Sequence, residues 1–217
     1  MEVIKIGDVT YSRTKIKNNI IKTYRQKTKS ELNDWYQEAH DFGIEVSEMF
    51  TSDDNVSKRQ VLGIISALSP LKEWNKNKEL AVDLILTGNA GHMKRNVQKA
   101  RDILALKTAG IHCNHDEFLG YNDAITIDFK IRQILNGKKT KKFYTNMAYP
   151  RGTGVTVDRH AIAIAIGRTA TDKEQAISKE VYTFIEKCYI MVAETLNLDP
   201  LHLQSITWQT WKRVKAG

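Results

Sequence analysis

Only three prolines interrupt the 217 residues, and long stretches between them repeat apolar side chains at a helical period. That pattern favours a mostly α chain of about ten helices. The expected helices are Tyr11–Lys27, Ser30–Phe50, Ser57–Leu68, Trp74–Leu86, Met93–Leu106, Asp123–Leu135, Lys139–Met147, Asp158–Gly167, Ser178–Leu196 and Pro200–Val214. Ser57, with Gln60 three residues on, reads as a capping box, and Val61, Ile64, Ile65 and Leu68 form the stripe behind it. Gly154-Val155-Thr156-Val157 is the one β-rich run noted. The expected links are 51–56, 87–92, 111–117 and 149–154.

With 41% hydrophobic and 27% charged residues, the chain has the composition of a folded globular protein. No apolar run approaches the roughly 18–20 residues that span a bilayer, and the N-terminus lacks the apolar core of a signal peptide. Two cysteines, Cys113 and Cys188, are too few for a disulfide framework or a four-cysteine metal site. A cytoplasmic monomer that makes no use of membranes is therefore expected. His112, Cys113, His115 and Asp116 lie close together, but their spacing fits no zinc pattern, and no metal is expected.

Charge is distributed unevenly. The net charge is +8, and the 33 positions from Asp128 to His160 hold eight basic residues against two acids. The basic residues are Lys130, Arg132, Lys138, Lys139, Lys141, Lys142, Arg151 and Arg159. Such a surplus beside helix N-termini suits a polyanion, nucleic acid first. Asp158 follows the β-rich run and opens an apolar helix, so it reads as an N-cap. Such a carboxylate serves as a helix cap, as a catalytic group, or as both.

Three segments, in order, resemble the helix-hairpin-helix DNA glycosylase superfamily, the endonuclease III-like fold. They are Ile64-Ile65-Ser66-Ala67-Leu68-Ser69-Pro70-Leu71-Lys72-Glu73-Trp74-Asn75-Lys76-Asn77, then Leu135-Asn136-Gly137-Lys138-Lys139-Thr140-Lys141-Lys142-Phe143, then Val155-Thr156-Val157-Asp158-Arg159-His160-Ala161. The resemblance covers roughly residues 57–213. It implies an all-α, two-lobed helix-hairpin-helix glycosylase-like fold over 1–217, without an iron–sulfur cluster. One lobe would hold the helices of 57–135. The hairpin and catalytic segment would occupy 135–168, and helices from both termini would pack alongside.

The same resemblance assigns roles. Asp158 takes the place of the family's catalytic aspartate, and Lys139 that of the lysine which, in bifunctional members, forms a Schiff base with deoxyribose. Lys138, Lys141, Lys142, Arg151, Arg159, Asn136 and Gly137 would contact duplex DNA. Trp74, Asn75, Ser69 and His160 would line the pocket for an extruded base. Two departures stand out. The hairpin offers Leu135-Asn136-Gly137 where the family has Pro-Gly-Val-Gly, which counts against the monovalent cation the family often holds at this turn, and no other cofactor is expected. Leu68 stands where the family often has glutamine, and its spacing from Ile64 and Ile65 makes it core rather than a wedge between bases.

The implied reaction is a DNA glycosylase's cleavage of the bond between sugar and base. The alternative comes from a bacteriophage branch, the alpha-glutamyl/putrescinyl thymine pyrophosphorylase-like proteins of thymine hypermodification. Such a transferase would replace pyrophosphate on activated 5-hydroxymethyluracil with a free amine or amino acid as co-substrate. A non-catalytic DNA-binding module is the third reading.

Overall fold

A computed structural model of the chain describes residues 2–50, 56–106 and 121–216. The described residues form eleven α-helices, one 3₁₀ turn and a small two-stranded sheet. They divide into two compact units, Met1–Tyr36 with Tyr149–Gly217, and Gln37–Ala148. No helix among the described residues is long and apolar enough to cross a membrane.

The first unit opens on a hairpin that the helical reading missed. Strands β1 (Val3–Ile6) and β2 (Val9–Ser12) pair antiparallel, with Ile4 opposite Tyr11 and Ile6 opposite Val9. The two-residue loop is Gly7-Asp8, and Gly7 has φ +59, the positive value a tight hairpin loop needs at its first position. The signal lay in the alternation of Val3 to Ile6 around a Gly-Asp loop. Alternation sends Ile4, Ile6 and Tyr11 inward and Val3 outward, while Val9, on the inward face beside the loop, is exposed.

Helix α1 (Arg13–Arg25) starts on Ser12, whose hydroxyl accepts from the Lys15 amide at 3.1 Å. The helix expected over Ser30–Phe50 is broken. Lys29–Leu32 is a 3₁₀ turn, and α2 (Trp35–Met49) begins afresh after Asn33 and Asp34. A capping box, in which Glu31 reaches back to the Thr28 amide at 2.9 Å, starts the short turn, and the extended backbone of Asn33 ends it. Glu31 is then held by Thr210 at 3.0 Å and by Arg213 at 2.7 Å.

The second unit is organised around α3 (Lys58–Leu68), every residue of which is buried. Ser57 and Gln60 form the expected capping box, and Gln60 also donates to the carbonyls of Ile103, Leu104 and Leu106. Helices α4 (Trp74–Thr87), α5 (Lys94–Leu104), α6 (Tyr121–Leu135) and α7 (Lys138–Ala148) pack on α3. Burial extends to charge. Arg59 donates to both carboxylate oxygens of Asp128 at 2.9 Å, and Tyr144 donates to the same carboxylate. Asp128, an acid of the basic stretch, is thus spent on an internal partner. It does not offset the positive charge at the surface.

The first unit closes with α8 (Arg159–Ile166), α9 (Asp172–Gln175), α10 (Lys179–Leu196) and α11 (Pro200–Ala216). Ile16, Ile20, Ile162, Ile185, Tyr189 and Leu203 form the centre of its core. Helix α8 ends on Gly167 at φ +79, where a side chain would also run into Asn19. Asn19 in turn donates to the Ala165 carbonyl at 2.8 Å, which locks α1 to α8.

Candidate functional site

Val155 to Val157 of the β-rich run before Asp158 are buried, but they form no strand. The Asp158 amide turns back to the Thr156 carbonyl at 3.0 Å, and side chains supply further partners. Gln204 of α11 accepts from the Thr156 amide at 2.9 Å and donates to the Thr156 carbonyl at 2.5 Å. Tyr182 of α10 accepts from the Val157 amide at 3.1 Å and donates to the Val155 carbonyl at 3.2 Å. One amide and one phenol thus replace the neighbouring strand a sheet would provide. Burial pushes the Tyr182 hydroxyl above its ordinary range, so it stays protonated and able to donate.

Asp158 projects from this frame as the N-cap of α8. Its Oδ1 accepts from the amides of His160 at 2.9 Å and Ala161 at 2.8 Å. Its Oδ2 makes no hydrogen bond among the described residues, and the residue is half-buried. The carboxylate is therefore aimed by one oxygen and open at the other. Arg159 is exposed, and its Nε lies 3.4 Å from the His160 ring. The His160 ring sits edge-on to Trp208, centroids 6.2 Å apart, and Trp208 sits against Trp35 at 5.3 Å. Lys212 lies over the Trp208 ring at 4.8 Å. Trp208 thus links the His160 ring to Trp35. Gln204 and Tyr182 carry no local signal, because they reach the run before Asp158 only through folding.

The expected hairpin turn is present in the second unit. Asn136 takes φ +46, the left-handed conformation that asparagine tolerates, and the Gly137 amide donates to the Leu135 carbonyl at 2.6 Å. Helix α7 follows at once, so Asn136, Gly137, Lys138 and Lys139 are all exposed at its start, with Lys141 and Lys142 half-buried behind them. Lys139 has no ion pair among the described residues. Arg151 is exposed as well, in the first unit.

The expected base-pocket residues are divided between the two units. Asp158 and His160 belong to the first unit, while Ser69, Trp74 and Asn75 belong to the second. Ser69 caps the end of α3, its hydroxyl donating to the Ser66 carbonyl at 3.0 Å. Trp74 is half-buried, edge-on to Phe42 at 6.2 Å, and Asn75 is exposed. Leu68 is fully buried, as its spacing implied. The exposed leucine of this segment is Leu71, 77% accessible and at φ +63.

Beside the hairpin turn lies a cavity of about 270 Å³ lined by Ala67, Pro70, Arg95, Asn96, Lys99, Leu135, Asn136, Gly137 and Thr140. Lys99 donates to the Leu135 carbonyl at 3.2 Å and to Asn136 Oδ1 at 2.9 Å, so it buttresses the turn. Arg95, Asn96 and Lys99 were missed. Their signal is the basic face of α5, where Lys94, Arg95, Lys99 and Arg101 stand against the single acid Asp102.

Among the described residues no group of three His, Cys, Asp or Glu side chains could hold a metal. His112, Cys113, His115 and Asp116 lie outside the described residues. Cys188 is buried, and burial pushes its thiol up to about 11, so it is an inert core side chain. No curated protein and no solved structure matches the chain. One family model does match, over residues 3–215, and the chain belongs to that family, described as "Family of unknown function (DUF7178)".

Proposed function

We propose that the chain is a DNA-binding enzyme that acts on a base extruded from a duplex, and that its reaction is cleavage of the glycosidic bond. The observation that carries this reading is the half-satisfied carboxylate of Asp158. A helix needs only one oxygen from its cap, and Oδ1 already serves two amides. Oδ2 is left for positive charge that develops on a deoxyribose as its base departs, or for the proton of an attacking water. The clamps from Gln204 and Tyr182 fix its direction before substrate arrives.

Duplex DNA would be gripped by Lys138, Lys141, Lys142, Arg151 and Arg159, with the Asn136-Gly137 turn presenting the start of α7 to phosphate. Lys139 is exposed rather than desolvated, which suits a phosphate contact better than a Schiff base. Leu71, with its exposed side chain on a left-handed backbone, is the better candidate for an apolar wedge than the buried Leu68.

The test is Asp158→Asn with duplexes carrying modified pyrimidines. Asparagine caps nearly as well, so the variant folds and binds DNA as tightly or more tightly, while single-turnover formation of alkali-labile abasic sites falls by about a hundredfold or more. Unchanged turnover in Asp158→Asn reduces the residue to a cap and removes the enzyme reading. A base that gains mass with its glycosidic bond intact would instead assign amine transfer.

A further inference from the structure

We infer that the cavity between α5 and the hairpin turn is a binding site for a phosphate ester of about nucleotide size, with Arg95 and Lys99 as its anion-binding groups. The argument starts from charge. Arg95 and Lys99 stand four residues apart on α5 and therefore on one face, where like charges repel. Neither has a carboxylate partner among the described residues, and no acid lines the cavity. Lys99 meets only a carbonyl and an amide oxygen, and partial burial together with the Arg95 charge holds its ammonium below the ordinary lysine range. Two converging cations that lack an internal anion define a place for an external one.

The remaining lining names the class of anion. Gly137 and Thr140 belong to the start of α7, whose first-turn amides add positive potential on a second wall. Asn96 supplies an amide that donates and accepts. Ala67, Pro70 and Leu135 give an apolar side that an inorganic anion does not need and a sugar or base does. The volume, about 270 Å³, exceeds what one phosphate group fills and approaches the lower end of small-molecule sites. A phosphate ester carried by a free nucleotide and one carried by a DNA strand share this chemistry.

The experiment uses Arg95→Ala in the full chain, since Arg95 is exposed and makes no bond that folding needs. Titration of the wild type with thymidine 5′-monophosphate, followed by amide shifts, should move Asn96, Gly137 and Thr140. Arg95→Ala should weaken that binding at least fivefold, and Arg95→Glu should abolish it. A parallel titration with duplex DNA separates the sources. If Arg95→Ala lowers DNA affinity and flattens the salt dependence by about one phosphate contact, the ester comes from the strand. If only nucleotide binding falls, the ligand is free, and the site stands even where the duplex-binding proposal fails. Wild-type affinity for both probes in Arg95→Ala and Arg95→Glu overturns the inference, while lysine-dependent DNA binding in the same assay would leave the duplex proposal intact.

Discussion

Two buried helices, one in each unit, begin on a side-chain cap, and the caps differ. At Ser57, heading α3, the box is reciprocal: Ser57 serves the Gln60 amide, and Gln60 returns to the Ser57 amide at 3.0 Å. Arg59, one residue into that helix, donates to both oxygens of Asp128, and Tyr144 donates to the same carboxylate. At Asp158, heading α8, one oxygen serves two amides and the other serves none among the described residues. Both helices bury their apolar residues equally well, so burial does not separate them. What separates them is the carboxylate at each: both oxygens of Asp128 are engaged, while only one of Asp158 is. A spent set contributes to stability; an unspent carboxylate on a rigid frame is available to a ligand.

The largest effect expected from this contrast is in the second unit. Asp128→Ala leaves Arg59 buried without its counter-ion and should cost about 3–5 kcal/mol in urea unfolding. Replacing both partners, Arg59→Met with Asp128→Leu, should restore most of that loss. A double variant as unstable as the single would mean that the node is not a closed pair, and the contrast would fail.

Next is the frame beneath the open cap. Gln204→Leu removes the side-chain partner of the buried Thr156 amide and carbonyl and should cost about 1–3 kcal/mol. Faster hydrogen exchange at Thr156 and Val157 would locate the damage, and protection equal to wild type would show that the clamp is dispensable.

The first unit also has a closed acid, which limits openness to Asp158. Glu31 is held down to about 2, chiefly by the Arg213 guanidinium and then by the Thr28 amide and Thr210. Its folded value lies below its ordinary 4.5, so its contribution is full above pH 4.5 and is lost as pH falls from there toward 2. Glu31→Gln should cost about 1–2 kcal/mol at neutral pH and flatten the acid limb of stability across that window. An unchanged acid limb would mean that Arg213 does not hold this carboxylate in solution.

The smallest effects compare the caps directly. Ser57→Ala should cost about 1 kcal/mol of stability, whereas Asp158→Asn should cost only a few tenths. Equal losses in the two, read by melting temperature, would make Asp158 as structural as Ser57.

Much of this was legible along the chain because helix ends are local. Ser57 with Gln60, Asp158 and Ser178 each announce a helix start within four residues, and structure places caps at all three. The errors fall where a local signal competes with another. Asn33 takes an extended backbone and ends what periodicity alone would continue. Val155 to Val157 has strand composition, but its hydrogen-bond partners include side chains some 25 to 50 residues away. The site shows the same division. Asp158 and the hairpin lysines are readable from neighbours in sequence, whereas Gln204, Tyr182, Trp35 and the Arg95–Lys99 cavity exist only once distant helices meet.

The first unit is assembled from residues on either side of 37–148, and this has a consequence for synthesis. Every contact internal to the second unit can form once Ala148 has been translated. Helix α1 has no such opportunity. Its core residues Ile16 and Ile20 pack with Ile162, Ile185 and Leu203, which emerge much later. At usual translation rates, residues 37–148 alone take on the order of ten seconds. During that interval an amphipathic helix and an unpaired β-hairpin precede a segment that can already fold. The apolar face of α1 thus waits for partners that are not yet made, and a chaperone would be expected to bind there during synthesis.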